Sequence, residues 1–446
     1  MLTLSSPYLS LGIAVMLAGS ILLRGVFQSS RVLAASAALL SAICFLMAHR
    51  VAGAVQVDGP GAARLTVDAL SGVPLVFHAL LVFAAVVASP ARDVQGSHAG
   101  NLLLIGAGTS LALAGSGWVV VLGWLLSSVP FLWADGRGSE VTRQTHVSLI
   151  GSVVALALAV TMGFGSGGPA GAPAAVLVAL AVALRKGIFP LHGGIVQMFD
   201  RSSLLPAVVY FNGHAGALLT ARLHGEDSGV VLSALGSAAL VSAVLTSVRA
   251  LVERRPRRVL GMLAVSQASF ILTGLAVGNE AGRSGAMLHW LVVSAATFGM
   301  AVVLRGVEAR VADAREPVGP LGLAVHAPRL AVFFLICGLA LVGLPGTAGY
   351  CAEDLLFHGA LESHPWLGVA LPLATALNAI TILRLFGLIF LGVLPRHVPA
   401  VPDALPREGW ILGACAVLLV AGGLLPGLLL PAVAPASKPS PHATGH

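Results

Sequence analysis

The sequence predicts an all-α polytopic membrane protein with about 14 transmembrane helices. Three observations predict it. Of 446 residues, 57% are hydrophobic and only 10% charged, and the mean hydropathy of +0.94 lies far outside the soluble globular range. Apolar runs of about 17 to 25 residues, enough to cross roughly 30 Å of hydrocarbon, recur from Leu9 to Leu430 with short polar breaks between them. Two of these runs are interrupted by proline and glycine beside charged residues, as expected of helices that break inside a membrane.

The runs fall at 8–23, 32–48, 70–90, 101–116, 117–133, 147–165, 173–191, 203–221, 229–248, 259–277, 284–304, 328–345, 366–391 and 410–430. The first lacks a basic n-region and is followed by Arg24 and further spans, which predicts a retained helix and not a cleaved signal. The break at 49–69 contains Asp58-Gly59-Pro60-Gly61 and has room for a short hairpin. A thin break, Gly115-Ser116-Gly117, divides the fourth run from the fifth. Residues 1–100 form an N-terminal three-helix segment, 410–430 a C-terminal helix, and 431–446, rich in Pro, Ala and Ser, a disordered tail.

The net charge of +7 would suggest nucleic acid in a soluble domain, but here the arginines sort by loop. Loops after odd-numbered runs carry Arg24, Arg31, Arg92, Arg137, Arg143, Arg201, Arg249, Arg254, Arg255, Arg257, Arg258, Arg305, Arg310, Arg315, Arg396 and Arg407. Loops after even-numbered runs offer only Arg50, Arg64, Arg222 and Arg283, with Lys438 in the tail. The positive-inside rule then places both termini outside the cytoplasm. Cys44, Cys337, Cys351 and Cys415 are scattered with no CxxC pair, so no metal site is expected. The glycines lie in apolar spans as packing residues, not in a phosphate loop or dinucleotide fingerprint, so any nucleotide chemistry belongs to a partner.

The first chemical signal is LRKGIFPLH, Leu184 to His192. Pro190 removes a backbone donor and clashes with the preceding turn, so the helix breaks or kinks near it. In a regular helix Arg185, Phe189 and His192 share one face, with Lys186 about a hundred degrees away. A cation deep in hydrocarbon costs roughly 2.5–3.5 kcal/mol, so at least one faces a partner or a hydrated cavity. The alternatives are that both snorkel to the cytoplasmic interface, or that they bind a substrate anion.

The second signal is GLALVGLPGTAGYCAEDLLFHG, Gly338 to Gly359, where Gly343, Pro345, Gly346 and Gly349 break a span ahead of Glu353, Asp354 and His358. Paired broken helices point to ion sites in transporters built from inverted repeats. A glutamate at membrane depth suits a proton carrier, against the plainer reading of Glu353 and Asp354 as a cap or interface pair. Other polar residues mark a line through the apolar bulk: His78, Asn212, His214, Ser266, Gln267, His289, Ser294, Thr297, Asn378 and Arg384. Histidine is the natural relay near neutral pH, although any one of these can be a helix–helix packing group. Arg384 needs an anion, and Glu353 is a candidate if the fold joins them.

From Asn101 to Arg384 these motifs resemble the proton-conducting membrane transporter family. That family includes the antiporter-like subunits of respiratory NADH:quinone oxidoreductase (complex I), the large subunits of multisubunit sodium/proton antiporters, membrane subunits of related hydrogenases, and inorganic-carbon uptake membrane subunits. In RKGIFPLH, Arg185 falls on the family's lysine position, and Pro190 and His192 match its proline and histidine. His214 lies near the polar position of the next helix, RVLGMLAVSQASFILTGLAVG resembles the tenth helix, and GLPG…GYCAEDLLFHG puts Glu353 where the family has lysine or glutamate. Two departures stand out: Leu125 follows Trp124 where the family has an acid, and Thr297 replaces the central lysine of the eleventh helix.

The resemblance implies two inverted five-helix repeats, 101–222 and 229–391, each with a broken helix. It also implies a subunit that translocates protons or sodium in the bacterial cytoplasmic (inner) membrane, among other membrane or soluble subunits and without nucleic acid. No cofactor is expected on this chain, and quinone, NADH or metal centres would belong to partners. The implied proton path is Arg185, Lys186, His192, His214, His289 and Glu353, supported by Asp354, Arg384, Gln267 and Thr297, with breaks at Pro190, Gly343, Pro345 and Gly346. The readings beside it are a non-conducting structural subunit, an inorganic-carbon uptake subunit and a stand-alone secondary transporter.

Overall fold

A computed structural model describes residues 6–25, 30–52, 65–68, 70–94, 97–132, 143–165, 171–223, 226–363, 367–394 and 401–433. The chain opens with α1 (Ser6–Gly25), α2 (Arg31–Ala52), α3 (Gly72–Ala88) and the short α4 (Ala91–Val94). There follow α5 (His98–Ala114), α6 (Trp118–Leu132), α7 (Arg143–Thr161), α8 (Ala172–Lys186), α9 (Gly193–Arg201), α10 (Leu204–Asn212) and α11 (Ala215–Ala221). The second half holds α12 (Glu226–Val252), α13 (Pro256–Val277), α14 (Glu280–Arg310), α15 (Pro328–Leu341), α16 (Ala348–Ser363) and α17 (Leu367–Phe390), and the chain ends in α18 (Pro406–Leu424) and α19 (Pro426–Val433).

The architecture is an all-α polytopic membrane bundle. Among the described residues nine helical stretches are long and apolar enough to cross a membrane: α1, α2, α7, α10 with α11, α12, α13, α14, α17 and α18. The apolar α3, α5, α6 and α15 are shorter. Burial sorts them into layers. The membrane windows of α10 with α11, α13 and α14 are 94%, 94% and 100% buried, against 39% for α7, α12 and α17, so the first three form the centre and the last three the rim. Ile21, Val32, Val230 and Val369 are exposed on the outer helices, where lipid makes an apolar surface the stable one.

Local chemistry sets the ends of the central helices. Pro256 opens α13 at a position where no backbone donor is needed, and Gly278 closes it at φ 81°. The Asn279 side chain then accepts from the Gly282 amide to start α14. Glycine also sets how closely α5 and α6 approach, because a Cβ on Gly108 would stand 2.4 Å from the Ser127 amide nitrogen.

Several expectations change. α8 stops at Lys186 because Gly187 adopts φ 69°, and Pro190 sits in the turn before α9, so Arg185 and His192 share no regular helical face. The run 203–221 is itself divided between α10 and α11, where His214 takes φ 42°. Helix α19 carries regular structure through Val433, into the segment expected to be tail, while 434–446 lie outside the described residues. Residues 53–64 of the expected hairpin loop also lie outside them, and Leu65 beyond them pairs with Gly115.

Candidate functional site

The two cations of the first motif part company. Arg185 turns toward α6, where its Nη2 donates to Ser127 Oγ at 2.7 Å and its Nη1 lies 3.2 Å from the Trp124 carbonyl and 3.3 Å from Ser128 Oγ. The guanidinium lies between the rings of Trp124 and Tyr210, 4.2 and 4.3 Å from their centroids. Neutral dipoles and two π faces therefore receive this buried cation. Leu125, where the resemblance expects an acid, is 39% exposed on the other side of α6.

Lys186 turns toward α10 and α11. Its Nζ donates to the Phe211 carbonyl at 2.6 Å and lies 2.8 Å from His214 Nδ1. The left-handed backbone at His214, rare for a residue with a Cβ, aims the imidazole at the lysine. His214 Nε2 and both ring nitrogens of His78 are buried without a protein partner, and His78 lies beside Gly213. Asn212 anchors this corner. Its Nδ2 donates to the Ser294 carbonyl at 3.1 Å and to Thr297 Oγ1 at 2.9 Å, and its own carbonyl accepts from Trp290 Nε1 at 3.3 Å. Thr297 thus joins the anchor through hydrogen bonds, not through a charge.

The seam continues along α14. His289 Nε2 pairs with Gln267 Oε1 at 2.9 Å, and the ring stacks on Phe270 at 5.7 Å. Phe270 in turn lines a cavity of about 370 Å³ bounded by Gly343, Tyr350, Glu353, Leu371 and Thr375. Glu353 Oε2 accepts from Thr375 Oγ1 at 3.2 Å, while Oε1 is buried with no protein partner. The break between α15 and α16 makes room for this carboxylate. Gly343 has φ 66°, and a Cβ there would stand 2.6 Å from Glu353 Oε2; Gly346 has φ 89° in the same turn as Pro345.

Other expected site residues lie elsewhere. His192 Nε2 meets Arg249 Nη1 at 2.5 Å and its ring stacks on Phe189, which places it against α12 and away from Lys186. Asp354 is exposed and pairs with His358, 3.5 Å away. Arg384 does not reach Glu353; it donates to the carbonyls of Ala250 and Glu253 at the end of α12, where carbonyl dipoles supply the negative partner. Asn378 meets Ser266 Oγ at 2.9 Å and ties α17 to α13. Among the described residues no three His, Cys, Asp or Glu side chains converge to hold a metal.

Sequence reasoning missed the cage of Ser127, Ser128 and Tyr210, and it missed a buried ion-pair group. Arg257 Nε and Nη2 each lie 2.5 Å from the Glu308 carboxylate, and Arg305 binds Asp93 through two bonds of 2.7 and 2.5 Å. The arginines were visible in the sequence only as loop charge. The one available signal was Glu308, three residues after Arg305 at the end of a long apolar helix.

The profile of the NADH:quinone oxidoreductase/Mrp antiporter transmembrane family matches residues 97–379. Relatives include NADH-quinone oxidoreductase subunit N 2 of Solidesulfovibrio magneticus, 31% identical over 206 residues that make up 45% of this chain and 41% of the relative. Another is NADH-quinone oxidoreductase subunit 14 of Thermus thermophilus, 30% identical over 203 residues, 45% of each chain. The match thus spans less than half the length of these curated relatives. In three dimensions the fold is similar to a chain of respiratory complex I from Thermus thermophilus with bound NADH, at a TM-score of 0.80 and 22% identity, covering 96% of this chain and 97% of that one. It is equally similar to a chain of the Mrp complex from Dietzia sp., at a TM-score of 0.81 and 20% identity, covering 97% of each. With the profile covering more than half its length, the chain belongs to the NADH:quinone oxidoreductase/Mrp antiporter transmembrane family.

Proposed function

We propose that this chain is a proton- or cation-translocating membrane subunit of a multisubunit complex of the NADH:quinone oxidoreductase or Mrp kind, in the bacterial inner membrane. The observation that carries the reading is the wholly buried contact between Lys186 Nζ and His214 Nδ1, at the junction of two interrupted helices. A fold built for rigidity alone gains little from facing a lysine with an imidazole, since both compete to be protonated. The pair suits a proton that moves between them. From His214 the unpartnered nitrogens of His214 and His78 lead toward His289 and Gln267, and the Phe270 wall leads on to Glu353. A water bridging such nitrogens would complete each step.

The finer reading has 14 spans and two inverted five-helix repeats, 101–222 and 229–391. It is supported by treating α8 with α9, α10 with α11, and α15 with α16 as interrupted single spans. With an even number of spans, the loop arginines favour both termini outside the cytoplasm. Soluble and membrane partners follow from the kind of assembly the relatives' names describe.

The test is proton flux in proteoliposomes containing the purified native complex under an imposed potential. His214→Asn keeps a residue that tolerates the left-handed backbone and an acceptor for Lys186, but it cannot carry a proton. Glu353→Gln keeps the bond from Thr375. Loss of flux in both variants, with assembly intact, is the expected result, and wild-type flux in both would overturn the proposal. A non-conducting structural role has one observation in its favour, the cage that fixes Arg185 by neutral groups. Absence of flux in an active wild-type complex would select it.

A further inference from the structure

The cavity beside Glu353 has features that a proton route does not need. It is about 370 Å³, its walls are mostly apolar or aromatic, and its rim is open. Pro372 and Ala376 on α17 are exposed at that rim, and Tyr350 on α16 is 47% exposed. The neighbouring Val369 and Leu373 on α17 are also exposed, so the mouth has an apolar flank on α17, with the exposed Asp354–His358 pair on α16. Two carboxylates line the cavity: Asp354 is exposed and paired with His358, while Glu353 stands deeper and is half satisfied, its Oε2 held by Thr375 and its Oε1 without a protein donor. A buried acceptor without a donor is costly, so a ligand that brings the donor gains affinity by supplying it.

From this geometry we infer that the cavity between α16 and α17 binds an amphiphile with an N–H-bearing ammonium head and an unbranched apolar tail, the head on Glu353 and the tail running out past Pro372 to the lipid surface. The chemistry selects each part. The carboxylate asks for a donor that also carries positive charge, since charge-assisted bonds are the strong ones in a dry site. Phe270, Phe357 and Leu371 ask for hydrocarbon next to that head. Entry from the membrane asks for a tail that can remain in lipid while the head reaches inward. A quaternary ammonium has the charge but no N–H, and it cannot satisfy Oε1. This binding stands whether or not Glu353 carries protons. Two sources share the chemistry: the ethanolamine headgroup of a phospholipid, and a free long-chain amine.

The experiment uses the full chain in phosphatidylcholine nanodiscs and measures binding of radiolabelled decylammonium. The expected result is saturable binding at about one site per chain, weakened at least about tenfold by Glu353→Gln, the loss of one charge-assisted bond. It is likewise weakened by Leu371→Trp, which fills the cavity and leaves the carboxylate in place. Decyltrimethylammonium competes at least about tenfold less well than unlabelled decylammonium. Replacing part of the phosphatidylcholine by phosphatidylethanolamine lowers decylammonium binding if the headgroup is a natural occupant. If it leaves binding unchanged, a free amine is the occupant. The inference is overturned if no saturable binding is found, if Glu353→Gln binds as wild type, or if the two decyl cations compete equally.

Discussion

Replacing Lys186 by methionine separates what this lysine does for the fold from what it does for transport. Its Nζ makes two short contacts, 2.6 Å to the Phe211 carbonyl and 2.8 Å to His214 Nδ1, and lies 4.3 Å from the Phe211 ring. Bonds from a charged donor contribute about 1.5–3 kcal/mol each. Against them stand about 2.5–3.5 kcal/mol for holding a cation at membrane depth and up to about 2 kcal/mol of side-chain entropy. If Lys186 is neutral, the bonds and the burial cost both shrink, so the balance stays near zero. In Lys186→Met the Phe211 carbonyl keeps the backbone amides of Gly213 and His214. Only His214 Nδ1 loses its partner. The expected destabilisation is therefore about 1–2 kcal/mol, read from SDS-induced unfolding in mixed micelles followed by tryptophan fluorescence. Proton flux through the reconstituted complex falls to the background of protein-free vesicles. A loss above about 4 kcal/mol would make Lys186 a structural pillar, and flux near that of wild type would remove it from the path; either result refutes the reasoning.

Three further outcomes follow from the same structure. Arg257→Met leaves Glu308 with the more distant Arg305 and Arg315, at 3.5 and 3.8 Å, so it costs about 3 kcal/mol; the double variant Arg257→Met/Glu308→Leu costs less than the sum of the singles, and additivity within about 0.5 kcal/mol in unfolding measurements would refute the coupling. Gly343→Ala forces a side chain into a left-handed turn and against Glu353 Oε2, and it lowers stability by about 1–2 kcal/mol in the same assay, whereas an unchanged midpoint would contradict the turn geometry. Burial opposes ionisation of Asp68, but Arg222 at 2.9 Å and the Ser71 amide at 2.7 Å outweigh it and hold the carboxyl below its usual range. A depressed native pKa stabilises above the unfolded value and loses that contribution as pH falls through the native one, so wild type loses stability below about pH 4 more steeply than Asp68→Asn does; the effect is small because the pair is partly exposed, and identical acid limbs would refute it.

The bundle was legible because hydrocarbon leaves a chain few choices, and an apolar run of the right length reads as a span whatever its neighbours are. The break at Gly343-Leu344-Pro345-Gly346 was legible for a similar local reason, since two of its glycines take positive φ. The break at His214 was not. Asn212-Gly213 hints at a turn, but the left-handed residue is the histidine, held there by Asn212 bonding to Ser294 and Thr297, about 80 residues away in sequence. Arg185 shows the same limit. Its partners are serines and aromatic rings on two other helices, and no periodicity marks a serine as a cation ligand until the helices are packed. Arg384 failed in the other direction. Its sequence asks for an anion, with Glu353 as one candidate, and the carbonyls at the end of a helix serve instead.

Under the proposed function, the division between Arg185 and Lys186 gives each cation in this apolar span a separate task. A guanidinium stays protonated in proteins, so an arginine at the position where the resembling family carries lysine can set a field but cannot pass a proton. Held between Trp124 and Tyr210, Arg185 is a fixed charge on a rigid mount. On the proposed route, proton exchange then needs a second, softer cation close by. Lys186 supplies it one residue on, and the helical rotation of about a hundred degrees that separates neighbours is what carries it to the opposite side, onto His214. Lysine there is not interchangeable with arginine, because an ammonium can exchange a proton with the imidazole it faces and a guanidinium cannot. The loss of an acid at Leu125 fits this division: a fixed arginine needs no switching partner, and neutral donors and rings hold it without one.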